Sequence, residues 1–110
     1  MSVEHRFTYK EVDTVVELCR PPEEGGIRIV SPAPTKEVIH EVLFVAIAIV
    51  HHFRKTGEVL SVEQAIKEVA LQYLTEERYG DIANLTPQEL AGRAEITEEL
   101  ASFRIELTKG

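Results

Sequence analysis

Glu37-Val38-Ile39-His40 sets a carboxylate and an imidazole three residues apart, on one face if the segment is helical. Four-helix bundles use this Glu-x-x-His spacing to hold carboxylate-bridged metal pairs, drawing on two such pairs and two further glutamates. Glu68, in the next predicted helix, is the candidate extra ligand, and a homodimer would supply the doubling. The chain has no second Glu-x-x-His, and in a sequence this rich in glutamate the spacing arises by composition alone. The expectation is therefore no bound metal and no cofactor, with Glu37, His40 and Glu68 the residues a metal would use.

Other residue types that do chemistry are isolated. His51-His52 stands beside Arg54-Lys55, where a helix starting after Thr35 would end. Cations are favoured there by the helix dipole, which is reason enough for their presence. His51 faces the same way as His40 but lies about 16 Å further along the axis, too far to share one ion. Cys19 has a cation beside it in Arg20, which favours a thiolate, yet no histidine is near it in sequence to act as a base. It reads as a small, mostly buried apolar residue. Gly25-Gly26 is too short for a phosphate loop and follows Glu23-Glu24, whose charges repel an anion. It reads as a turn. Without a convergent acid, base and nucleophile, the chain is expected not to be an enzyme.

The elements that must position these residues follow from length and pattern. The 110 residues suit one domain and one core, and 44% hydrophobic with 28% charged residues is a globular composition. A net charge of −7, from 19 acidic against 12 basic residues, argues against nucleic-acid and membrane partners. One cysteine permits no internal disulfide, and the charged N-terminal stretch lacks the apolar core of a signal peptide, so a cytoplasmic location is expected. One asparagine and three glutamines beside many charges fit a thermophilic source.

Thr35 as cap, Glu37 in the first turn, Arg54-Lys55 in the last and Gly57 as stop predict a helix over 36–56. Val42 to Val50 is an unbroken apolar run, too short for a membrane span and too long for a surface helix. A buried core helix is expected. Ser61-Val62-Glu63-Gln64 is a capping box that starts a second helix, over 62–79, with Gly80 as its end. Thr86-Pro87-Gln88-Glu89 starts a third, over 87–95. The stretch 9–19 reads as helix or strand. Ile27-Arg28-Ile29-Val30 looks like a strand that needs a partner, so a hairpin turning through Pro21–Gly26 is preferred. Near the C-terminus, Phe103, Ile105 and Leu107 alternate as in a strand, while Ile96, Leu100, Phe103 and Leu107 share a helical face. The expected class is α+β, predominantly helical, with a small antiparallel sheet from the N-terminal region and an option on the C-terminus. The alternative is an all-α bundle.

One local resemblance exists. Leu85-Thr86-Pro87-Gln88-Glu89-Leu90-Ala91, Arg93-Ala94, Ile96-Thr97 and Leu100-Ala101-Ser102 resemble a repressor-type helix-turn-helix over residues 85–107. The resemblance implies that the helix after Thr97 enters the major groove of DNA. The sequence departs from the family pattern at Glu95, where the family has its turn glycine, and at Glu98-Glu99, which repel phosphates. A DNA-facing use would need a basic surface built from some of Arg54, Lys55, Arg78, Arg93 and Arg104.

The predicted central helix is apolar over roughly half its circumference, more than the rest of a small chain readily covers. A second copy would cover it, with Phe44, Ile47, Ala48 and His51 as the candidate self-association residues. The overall expectation is a non-enzymatic, homodimeric interaction or regulatory protein, open to a further protein partner. A nucleic-acid-associated regulator and a metal-binding helical bundle are the alternatives.

Overall fold

Thr35 opens the long helix through its side chain, which accepts the Val38 N–H at 3.2 Å, and α1 runs Lys36–Thr56. Gly57 closes it at φ 76° with its N–H donated to the Phe53 carbonyl, a left-handed stop that costs glycine nothing. The computed structural model describes residues 2–19, 26–32 and 35–109. Most of the turn expected through 21–26, and the side chain of Cys19, lie outside these described residues.

Three strands precede α1: β1 (Ser2–Tyr9), β2 (Val12–Cys19) and β3 (Ile27–Ile29), in the antiparallel order β1-β2-β3. The pairing of β2 with β3 is the expected hairpin. The strand Ser2–Tyr9 was not anticipated, because the Lys10-Glu11 turn that joins it to β2 lacks the usual Asn-Gly signal. Both turn residues take positive φ, 49° and 67°, as a two-residue type I′ hairpin requires. Alternation sorts the strands into faces: Phe7, Tyr9, Val12, Val16 and Leu18 are buried against the helices, while Glu4, Arg6, Thr8, Asp13 and Glu17 face water. Val15 is buried on the outer face, where Arg6 and Arg28 flank it in register.

After α1 come α2 (Val62–Gln72), α3 (Glu76–Tyr79), a 3-10 turn at Ile82–Asn84, α4 (Pro87–Ala94) and α5 (Glu98–Lys109). Both predicted capping boxes form, at Ser61 with Gln64 and at Thr86 with Glu89. Each satisfies helix-end donors, worth roughly 1 kcal/mol. The single helix expected over 62–79 is broken. The N–H groups of Tyr73 and Leu74 both bond the Val69 carbonyl, which drives Leu74 fully into the core and leaves Thr75 extended. Arg104 then takes the Leu74 carbonyl at 2.7 Å. The C-terminal strand option is also corrected, because residues 98–109 are helical. Leu100, Ala101 and Ile105 form the buried face of α5, and Phe103 is left 38% exposed.

One hydrophobic cluster unites the inner sheet face with α1, α2, α4 and α5, with Val42, Ala46 and Ile49 of α1 fully buried. The alternative of an all-α bundle is therefore excluded by the sheet. No helix among the described residues is long and apolar enough to cross a membrane.

The Lys10-Glu11 turn generates a direct stability prediction. Glu11 is exposed and has no hydrogen-bond or ion-pair partner among the described residues, yet its backbone is left-handed. Glu11→Gly is expected to stabilise the protein by about 1 kcal/mol, through relief of the Cβ penalty. The urea midpoint should rise with an unchanged slope.

Candidate functional site

Among the described residues, a dense polar cluster lies inside the fold. Glu41 is the second residue of the second turn of α1, with Val38 three before it and Val45 and Ala48 four and seven after. That spacing places the carboxylate on the buried side of the helix. Its side chain is completely inaccessible to solvent. Three donors converge on it: the Tyr9 hydroxyl at 2.5 Å, the Lys10 ammonium at 3.0 Å and the Thr97 backbone N–H at 2.6 Å. Tyr9 and Lys10 come from the end of β1 and its turn, and Thr97 from the link between α4 and α5. Lys10 also donates to the Thr97 hydroxyl at 2.8 Å, and that hydroxyl caps α5 by accepting the Leu100 N–H.

Burial pushes the Glu41 carboxyl upward, but the hydrogen bonds from Thr97, Tyr9 and Lys10 outweigh it and hold the group below the ordinary carboxylate range. The Tyr9 hydroxyl is pushed well above its ordinary value of 10.0, first by burial and then by its bond to the Glu41 charge. The cluster is thus a carboxylate, an ammonium and a neutral phenol, locked together. The Glu41 side chain is closed to solvent and its oxygens have donors, so the cluster attaches three elements to one another.

The residues singled out from sequence are placed apart. His40 sits at the N-terminal end of α1, where Nδ1 lies 2.9 Å from the Glu95 carbonyl and 3.8 Å from the Glu95 carboxylate. Lys36 bonds the same carboxylate at 2.8 Å, which holds it below the ordinary range. Glu37 lines a shallow groove between this end of α1 and the α4–α5 link. Glu68 is at the opposite end of α1, in a cleft of about 140 Å³ with Ala48, His51, His52 and Lys55. The Glu37–His40 pair and Glu68 are not brought together. Among the described residues no group of three or more His, Cys, Asp and Glu side chains could hold a metal ion.

In that cleft the Tyr73 hydroxyl lies 3.2 Å from His51 Nδ1, and the Tyr73 ring stacks on Phe44 with centroids 5.9 Å apart. Burial first and the Glu68 charge second raise the Tyr73 pKa, so it remains a neutral phenol. Tyr73 therefore lies against two of the four candidate self-association residues within the chain, and Ala48 is itself buried. Ile47 is half-buried and, like Ile39 and Leu43, is not part of the core cluster formed among the described residues.

In the stretch of the helix-turn-helix resemblance, α4 and α5 are joined by a short link whose residue Glu95 is left-handed, at φ 56° and ψ 45°. The link itself is committed to Glu41. Two of the five basic residues from which a DNA surface could be built serve the fold: Arg93 bonds the Tyr79 carbonyl at 3.0 Å, and Arg104 bonds the Leu74 carbonyl and the Thr108 hydroxyl. Glu98 and Glu99 are exposed at the start of α5.

The Glu41 cluster was not among the candidate sites read from the sequence. The signal was available in its apolar neighbours at helical spacing. Compared with known proteins, the chain matches no family model, no curated protein and no solved structure.

Glu41→Ala would leave Lys10, Tyr9 and the Thr97 N–H without their acceptor, and should cost about 3–5 kcal/mol. Because the Glu41 pKa is lowered on folding, its contribution is present above the ordinary carboxylate range and lost as pH falls through the folded value. Glu41→Gln should flatten this acid limb in denaturation curves taken across pH. Wild type should also lose stability above pH 10.0, where an unfolded Tyr9 ionises and the folded one does not.

Proposed function

We propose that this chain is a non-enzymatic interaction or regulatory module that works as a homodimer, with α1 as its self-association element. The observation that carries the reading is the stripe Ile39, Leu43 and Ile47. These are three large aliphatic residues at four-residue spacing, half-buried and separate from the core. A row of this spacing is the ridge that packs against an identical ridge at about −50°. The stripe is self-complementary: about a two-fold axis, Leu43 meets Leu43 of a second copy and Ile39 meets Ile47. Ile47 is the one candidate from the original four that this reading keeps as a contact. Phe44, Ala48 and His51 act behind it, through α2.

A cytoplasmic location belongs to this reading, supported by a single cysteine that permits no internal disulfide. Regulation through a protein partner suits the acidic surface better than DNA reading does. The nucleic-acid alternative is supported by the form of α4–α5 and opposed by Glu98-Glu99 and the engaged arginines.

Ile47→Glu inserts a charge at the stripe without touching the core. It is expected to halve the mass measured by light scattering wherever α1 pairs the subunits, with circular dichroism unchanged. An unaltered mass would remove α1 from the assembly. A gel shift at low salt is expected to show no retained duplex; binding there would favour the nucleic-acid reading instead.

A further inference from the structure

The two edges of the sheet are unlike. β3 is only three residues long, a short edge of the kind that resists pairing with other chains. β1 is eight residues long, and its register with β2 runs unbroken from Ser2 opposite Cys19 to Tyr9 opposite Val12. It contains no proline, lysine or bulge, and the two charges it carries, Glu4 and Arg6, are of opposite sign and so can pair across a symmetric contact.

The orientation of its backbone follows from β2. Glu17 donates its N–H to Gly26, and the Asp13 carbonyl accepts from Val30, so the odd-numbered residues of β2 point their backbone groups toward β3. The even-numbered residues of β2 therefore bond β1, through Tyr9, Phe7, His5 and Val3. Glu4, Arg6 and Thr8 are left with their N–H and C=O groups pointing away from the sheet. No hydrogen bond among the described residues occupies those groups.

We propose that this edge pairs with β1 of a second copy, antiparallel about a two-fold axis at His5, to give a continuous six-stranded sheet. The axis is chosen by charge. With His5 opposite His5 of the other copy, Glu4 meets Arg6 and Arg6 meets Glu4 in hydrogen-bonded pairs, and Val3 meets Phe7 on the inner face. Shifting the strands so that Glu4 opposes Glu4, or Arg6 opposes Arg6, sets like charges against each other. Arg6 is exposed and has no carboxylate partner among the described residues, while Glu4 reaches Arg28 only at 3.9 Å. Val3, on the face that otherwise packs against the helices, is 47% exposed and gains an aromatic neighbour in this register. Parity also holds, because the residues that meet in bonded pairs are those whose groups point outward. Both copies keep their helices on the same side of the joined sheet.

This contact uses a different element from the α1 stripe, so the two are tested separately. In the Ile47→Glu background, where the stripe is disabled, sedimentation should still find a dimer. Arg6→Glu or Glu4→Arg in that background should each raise the dissociation constant about tenfold or more, since attraction becomes repulsion at two symmetric positions. The double swap E4R/R6E should restore the dimer, because the pairs are re-formed with their signs exchanged. Arg6→Pro should abolish it while the thermal transition remains cooperative, because that N–H makes no bond to β2. A folded monomer in the Ile47→Glu background would overturn the proposal, as would a double swap no tighter than the single variants. If Ile47→Glu leaves the wild-type mass unchanged, the stripe reading fails alone, and the same charge swaps in wild type decide the edge.

Discussion

A carboxylate with no access to water is tolerated only when its charge is compensated in place, and Glu41 is the point on which the remaining structure is assembled. The sheet, the long helix and the α4–α5 pair are distant in sequence and could pack in several relative positions as apolar surfaces alone. Glu41 selects one. Tyr9 and Lys10 bring the tip of the hairpin to α1, and the Thr97 N–H brings the start of α5. Hydrophobic burial supplies the driving force, but it is not directional. The cluster supplies direction, because each donor must arrive at one oxygen at hydrogen-bond distance.

That constraint explains two otherwise unfavourable backbone choices. Lys10 and Glu95 both adopt left-handed conformations without being glycine. Lys10 must turn so that its ammonium reaches Glu41 and Thr97. Glu95 must turn so that Thr97 presents its N–H inward, and its own carboxylate is then held by Lys36. Glycine would be easier at either position for the backbone but would surrender Lys10's ammonium or Glu95's carboxylate.

The helices were legible in the sequence because their signals are local. Caps at Thr35, Ser61 and Thr86, the stop at Gly57 and the apolar run of α1 each act within a few residues. What was illegible depends on distant contacts. The β1 strand was hidden by a turn with no glycine, and the break after Gln72 depends on Leu74 finding the core and Arg104 finding its carbonyl. The same division applies to the site. Glu37, His40 and Glu68 were legible as residue types, but only the fold shows that Glu68 lies at the far end of α1 from the other two. Glu41 was passed over because its partners are 31 to 56 positions away.

With its interior organised around Glu41, the chain presents an aliphatic ridge on α1 and an outer strand edge on β1, the two surfaces we propose for self-association. The most direct test is the native mass spectrum of the wild-type protein purified without chelators. We expect a metal-free closed set of four 12.4 kDa chains, in which each dimer paired through α1 is joined to the other through β1. A metal-free monomer across the accessible concentration range would contradict it, and bound metal in each dimer would return Glu37 and His40 to the centre of the problem.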